Sequence, residues 1–375
     1  MPPPPRPKSL RKSKLPTEAT EGQRLSRSRG ALLGLAVGEA LGIPFEFRNL
    51  PAADFPTFND VPRDPRGGGR FELAPGQTTW GTQMAIVLAN QLRATRSYEL
   101  VSVAKAYVEW MPSAVEVPEV VKQALDLVAD NRHPEYTGYR TWLDNGQKPK
   151  DNAPLARTLP IGIFFSMNRT QRFLATVQDV HITHFAPQIT LACATFNGVI
   201  AAALQTPNER LSTADIVKAA ESELSYAASE LGKLDSNWVQ MVRDSAEWLR
   251  EDLRKAQDSD PELYGPELHL FHPNPSWVRI AFRMAFWQLF HAPSIEMALL
   301  DVVNRGGDAD TNAAITGALM GAVHGEQAIP AEWRETVLES LGHMAGVLWE
   351  AYHPRFLLNL ASIRPSEPER AAGSE

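Results

Sequence analysis

Residues 304–311 read Asn304-Arg305-Gly306-Gly307-Asp308-Ala309-Asp310-Thr311, and a run of small residues, Asn312–Val323, follows them. Two carboxylates two positions apart, with a hydroxyl next to them in a turn opened by two glycines, can converge on one cation. Hard oxygen ligands of this kind suit Mg2+, Mn2+ or Ca2+ rather than zinc. The glycines let the backbone turn sharply, and a helix starting here would set its N-terminus beside the ion. The same residues also suit a plainer use, in which Asp310 or Thr311 caps the next helix. Spacing alone leaves both readings open.

Outward from this stretch the periodicity is helical. Trp238, Val242, Ala246, Leu249 and Leu253 recur three to four residues apart, as do Phe282, Ala285, Phe286 and Leu289, and Trp333, Val337 and Leu341. Thr82–Leu92 and Ala192–Leu204 are apolar nearly all round, which belongs inside a core. Alternation of period two is almost absent, and Leu268–Phe271 is the one short candidate strand. Ser212, Thr213 and Asp215 mark a helix start, and Pro330 sits just before another. The Pro- and Gly-rich segment Pro51–Gly76 predicts a surface loop, as do Pro207–Arg210 and Asp258–Pro275. Its Gly67–Gly69 run lacks the Gly-Lys-Ser/Thr ending of a phosphate-cradling P-loop. The pattern predicts a single, compact, all-α domain over residues 23–360 with ragged ends.

With 43% hydrophobic and 22% charged residues, the chain can bury a large core. Its net charge of −7 argues against nucleic acid, which needs a basic stripe. No run of about 18 uninterrupted apolar residues predicts a membrane span. The single cysteine, Cys193, lies among Ala, Val and Leu and reads as a small buried hydrophobe. It excludes an intrachain disulfide framework, and the compartment expected is a reducing cytoplasm. Residues 1–22 are Pro-rich and basic and read as a disordered tail, as do residues 361–375.

The 306–311 stretch has companions in a fixed order. Gly306-Gly307-Asp308-Ala309-Asp310-Thr311, leading to Gly317, Gly321, Pro330 and Trp333, resembles the C-terminal signature of the ADP-ribosylglycohydrolases. Gly30-Ala-Leu-Leu-Gly34, Gly38-Glu39-Ala40-Leu41-Gly42 and Pro44-Phe45-Glu46 resemble that family's first helix and the loop after it. Asn152-Ala153-Pro154-Leu155-Ala156-Arg157, with Pro160 and Gly162, resembles its central substrate loop, and Thr183-His184 with Pro187 resembles its Thr-His motif. Together the matches span about Ser26 to Trp349. The resemblance implies a compact single-domain orthogonal multi-helix bundle with a binuclear Mg2+ or Mn2+ centre that hydrolyses the bond joining ADP-ribose to an arginine, serine or other acceptor. It implies metal ligation by Asp308, Asp310, Thr311 and Thr79, catalytic roles for Asp308 and Glu46, and substrate contacts at Asn152, Ala153, His184, Gly306 and Gly307; Trp80 is a substrate-contact candidate peculiar to this chain.

The departures count as much. Where the family carries Thr-Asp-Asp-Thr, this chain has Thr79-Trp80-Gly81-Thr82. Neither Trp nor Gly offers a side-chain oxygen, so two anionic ligands are lost. The usual Gly-Asp-Ala-Leu-Gly reads Gly38-Glu39-Ala40-Leu41-Gly42, with a longer carboxylate, and Ala153 adds a methyl group to the Asn-Gly motif. The expectation is one weakly held Mg2+ or Mn2+, or none, because affinity tracks ligand charge. Hydrolysis is expected to be weakened or lost, with ADP-ribose or an ADP-ribosylated protein as partner. The alternative is a non-catalytic ADP-ribose-binding or structural pseudoenzyme of the same fold. Trp80 either fills the space of the missing metal or stacks on the ligand.

Overall fold

Glycines fall every fourth residue at Gly30, Gly34, Gly38 and Gly42, and residues four apart share one face of a helix. The computed structural model describes residues 17–47, 64–148, 150–208, 211–258, 274–341 and 350–363. Its helices run α1 (Glu21–Gly42), α2 (Trp80–Thr95), α3 (Leu100–Trp110), α4 (Glu119–Ala129), α5 (Pro134–Asp144), α6 (Ala153–Arg157), α7 (Leu159–Phe164) and α8 (Arg169–Thr183). They continue as α9 (Pro187–Gln205), α10 (Thr213–Leu234), α11 (Val239–Ala256), α12 (Val278–His291), α13 (Ile295–Asn304), α14 (Ala309–His324), α15 (Ala331–Glu339) and α16 (Leu358–Ala361). Among the described residues there is no strand beyond two isolated bridges, Gly68 with Leu73 and Asp151 with Trp277.

The glycine face of α1 lies directly on α14. A Cβ built at Gly34 would stand 2.0 Å from the Gly317 carbonyl oxygen, and one at Gly38 would stand 2.1 Å from that of Ala313. At the ends of the contact Gly30 meets Gly321, and Gly42 meets the Asp310 backbone. The helices are therefore antiparallel with their backbones in contact, and the C-terminus of α1 abuts the N-terminus of α14. Such an approach tolerates no side chain and sets the axes closer than ordinary helix packing does.

The other helices enclose this pair. α9 is buried nearly all round, Ile189 to Leu204 included. It is long and apolar enough to cross a bilayer, yet 94% of the stretch is inside the fold. Cys193 is fully buried there, and burial pushes its thiol far up from the ordinary range. α12 buries Phe282, Ala285, Phe286 and Leu289, as its periodicity predicts. Ser212 and Asp215 form a reciprocal capping box at the start of α10.

Several boundaries differ from the expectations. Trp238 precedes α11 rather than joining it, closing a short 3-10 turn, while Val242, Ala246, Leu249 and Leu253 form the buried stripe. α15 ends at Glu339, so Leu341 lies outside the helix and is 89% exposed. Ala19 is already buried, its N–H bonded to the Gln205 carbonyl, and Thr20 caps α1, so the fold starts before residue 23. The segment expected to be surface loop, Pro51–Gly76, is described from residue 64 and is in part buried, with Leu73 and Ala74 inside the fold. There Gly76 is pressed against the Thr336 backbone, which leaves no room for solvent. The Leu268–Phe271 strand candidate, residues 1–16 and residues 364–375 lie outside the described residues.

Candidate functional site

At the junction of α1, α2 and α14 four carboxylates gather. Glu39 projects from the last turn of α1, and its carboxylate is buried among the first residues of α2. It accepts from the Thr79 N–H and Thr79 hydroxyl at 3.0 Å each, the Gly81 N–H at 3.0 Å and the Thr82 N–H at 3.2 Å. Thr79 occupies the cap position of α2, but its own side chain makes no capping bond. Glu39 therefore caps α2 from a neighbouring helix, a use that suits an anion at a helix N-terminus. Burial raises the Glu39 carboxyl above the ordinary range, and the bonds from Thr82 and Thr79 oppose that.

On the facing side, Gly306 and Gly307 take positive φ values of 71° and 63° and turn the chain into α14. Asp308 stands at the cap position of α14, yet its carboxylate makes no capping bond. Asp310 accepts from the neighbouring Thr311 N–H at 2.8 Å. The plain capping use expected of Asp310 or Thr311 is met only in part: Asp308 holds the cap position, while Asp310 satisfies one N–H of the first turn. Both aspartates and Thr311 are at most 4% exposed. Asp310 is raised well above the usual carboxylate range by burial, then by Glu46, Asp308 and Glu39.

Glu46 joins them through the loop after α1. The Phe47 N–H donates to the Gly307 carbonyl at 2.6 Å, which pins this loop to the glycine turn. Burial and then Asp308 raise the Glu46 carboxyl to about 7, against the pull of Arg70, whose guanidinium lies 2.9 Å from Glu46 Oε1. Arg70 was not among the residues expected at the site. Its only sequence signal is its place directly after the Gly67–Gly69 run.

The central loop meets α14 through one bond, from Asn152 Nδ2 to Asn312 Oδ1 at 3.0 Å. Ala153 is buried as the first residue of α6, its N–H facing Asp151 Oδ1 at 3.3 Å. His184 has both ring nitrogens engaged inside the protein: Nδ1 with Thr183 Oγ1 at 2.8 Å and Nε2 with the Asp151 carboxylate. It is placed to hold Asp151, which sequence reasoning passed over although it directly precedes Asn152. Burial works against the Asp151 charge, but His184 outweighs it and brings the carboxyl below its ordinary range. Thr183 connects this pair to a buried bonded cluster, because Arg157 donates to Thr183 and to Asp179, and Asp179 accepts from the hydroxyls of buried Tyr107 and part-buried Tyr98.

Trp80 is 5% exposed and packs in the hydrophobic core cluster, which supports the space-filling reading. A Cβ at Gly81 would meet Glu39 Oε1 at 2.8 Å, so the longer carboxylate occupies room that an acidic side chain at position 81 would need. Two cations do not fit this donor set. The α2 side has no acidic side chain of its own and consumes the one that reaches it. Asp308, Asp310 and Thr311 offer oxygens for one hard ion, with Glu46 near. Among the described residues, no three His, Cys, Asp or Glu side chains already stand as a ligand shell.

Comparison with known proteins finds similarity over most of the chain. The model of the ADP-ribosylglycohydrolase family matches residues 20–357. The chain is 24% identical over 326 residues to the ADP-ribosylarginine hydrolase Tri1 of Pseudomonas putida, covering 85% of this chain and 76% of that protein. It is 24% identical over 308 residues to the ADP-ribosyl-[dinitrogen reductase] glycohydrolase of Rhodospirillum rubrum, covering 82% and 88%. A solved structure titled "ADP-ribosylglycohydrolase-related protein complex" superposes with a TM-score of 0.64 at 24% identity over 91% of this chain and all of that one, which establishes a shared fold.

Proposed function

Since the chain belongs to the ADP-ribosylglycohydrolase family, we propose that it acts on ADP-ribosyl groups at the α1–α2–α14 junction with metal-dependent hydrolysis weakened by the loss of half the metal site. One observation carries this reading: the Glu39 carboxylate is spent on the backbone and hydroxyl of residues 79–82, where Trp80 and Gly81 stand in place of acidic residues. The relatives named for ADP-ribosylarginine and ADP-ribosylated dinitrogen reductase support the substrate class.

A divalent cation held at this site would supply Lewis-acid polarisation of water and positioning of the ribose hydroxyls. Asp308, Asp310 and Thr311 would hold one Mg2+ or Mn2+. Glu46, raised towards neutrality, is the carboxyl suited to exchange a proton with an attacking water. The Asp151–His184 pair and the Asn152–Asn312 bond would keep the start of α6 in place against the ligand. A second reading, binding of ADP-ribose without turnover, is favoured by the absence, among the described residues, of a preformed three-ligand cluster.

The test is release of ADP-ribose from ADP-ribosyl-arginine and ADP-ribosyl-serine peptides with added Mg2+ and Mn2+. Turnover is expected to be slower by roughly 100-fold or more than in a relative that keeps both acidic residues. A rate within about tenfold of that relative sinks the weakened-site reading, and tight ADP-ribose binding without any release supports the second.

A further inference from the structure

The Gly67–Gly68–Gly69 run has no part in the chemistry so far, yet all three residues hold positive φ, at 74°, 97° and 68°. Gly69 is pressed onto Ile43, at the start of the loop that carries Glu46: a Cβ there would lie 2.8 Å from the Ile43 carbonyl oxygen. Gly67 is pressed harder still onto the Leu73–Ala74 backbone, where a Cβ would lie 2.3 Å from the Leu73 carbonyl oxygen. This packing delivers Arg70 to the mouth of the carboxylate cluster. One guanidinium nitrogen, Nη2, bonds Glu46 Oε1 at 2.9 Å and both Glu116 oxygens at 2.5 Å. The guanidinium carbon lies 4.7 Å from the Phe71 ring centroid and 5.6 Å from that of Phe47. Two acidic partners and two aromatic faces thus hold one cation beside a largely buried carboxylate.

We propose that Arg70 is the fixed counter-cation of this site, occupying Glu46 and thereby setting how weakly a divalent ion binds at Asp308, Asp310 and Thr311. The proposal rests on the one-ion reading above. An ion that recruits Glu46 must break the Arg70 contact and then sit near a positive charge that cannot be lost by deprotonation. Arg70 acts on the ion through Glu46 and is a positioning residue, not a catalytic one.

The experiment is calorimetric titration of Mn2+ into the full chain after EDTA treatment. Arg70→Gln is expected to bind Mn2+ about tenfold more tightly than wild type, since it removes the repelling charge. Arg70→Lys keeps the charge and is expected to stay within about threefold of wild type. Glu116→Gln is expected to weaken binding a few-fold, about threefold, because it leaves Arg70 to Glu46 alone. A thermal melt matching wild type shows that each variant is folded. Equal affinities for wild type and Arg70→Gln overturn the proposal, as does an Arg70→Lys gain matching that of Arg70→Gln. Should Arg70→Gln not fold, Glu116→Gln decides, and unchanged or tighter binding there overturns it. Two tight sites in wild type would instead sink the degenerate-site reading, an outcome separate from the ratio between variants.

Discussion

The Glu39 carboxylate takes up four donors at the start of α2 that would otherwise be buried without acceptors. Glu39→Ala is therefore expected to lower stability by about 2–3 kcal/mol in urea unfolding, even with no metal present. If that loss is under roughly 0.5 kcal/mol, the capping role is wrong. The same carboxylate constrains any repair of the site. Restoring acidic residues by Trp80→Asp with Gly81→Asp crowds Glu39, because the new Cβ lies 2.8 Å from its oxygen and two carboxylates then compete for one set of amides. The triple variant that adds Glu39→Asp, which draws the first carboxylate back by one methylene, is expected to bind Mn2+ and release ADP-ribose better than the double variant. Equal titrations and rates for the two would refute this coupling. His181 offers a pH test elsewhere. Burial lowers its imidazole to about 4, beside Phe185 at 5.0 Å and a cavity of about 800 Å³ that His133, Glu135 and Asp235 also line. The folded state then binds fewer protons than the unfolded one, so its stability contribution is full above pH ~6.5 and lost as pH falls towards 4. His181→Phe is expected to flatten the melting temperature over that range relative to wild type.

Among the elements, α1 and α14 carry the most demanding contact. Residue type decides it, since a single methyl at Gly34 would have to enter the Gly317 carbonyl. Gly34→Ala is expected to cost about 3 kcal/mol or to prevent folding, by overpacking a backbone-to-backbone contact. Gly232 in α10 is the control, with nothing within 4 Å of its added Cβ. There Gly→Ala is expected to gain about 0.5–1 kcal/mol from helix propensity. Denaturant midpoints of the two variants check both, and matching shifts would refute the zipper-like packing. α2 shows a different dependence. Its start has no side-chain cap of its own and relies on a residue forty positions earlier, so its N-terminus is a tertiary feature and not a local one.

At the scale of the molecule, buried charge ties distant helices together. Arg157 in α6 and Asp179 in α8 are both fully inaccessible, with Tyr98 before α3 and Tyr107 within it completing the shell. Arg157→Met is expected to destabilise the protein by about 3–5 kcal/mol, because it strands the Asp179 charge. Adding Asp179→Asn should recover part of that loss, and thermal unfolding of the single and double variants separates a paired charge from lost packing. Asp252 makes a similar centre between α11 and α12, bonded by Arg279 and Arg283. The all-α layout needed none of these pairs to be foreseen. Helical periodicity in α11 and α12 and the capping box of α10 are local signals, each readable within one or two turns.

The chain's own order of residues determined the helical class, the four ordered motifs and the substitutions Trp80 and Gly81 within them. Those follow from periodicity and residue identity, which need no partner in space. Tertiary structure alone decided what became of the altered half-site. Glu39 reaches across from α1 to cap α2, Trp80 sinks into the core, and Arg70 arrives beside Glu46 on a glycine turn. It also decided that His184 holds Asp151 with one ring nitrogen and Thr183 with the other. The reason is physical: a carboxylate's role depends on which donors, cations and low-dielectric walls surround it, and residues 39 and 79–82, or 46 and 70, are neighbours in space and not in sequence.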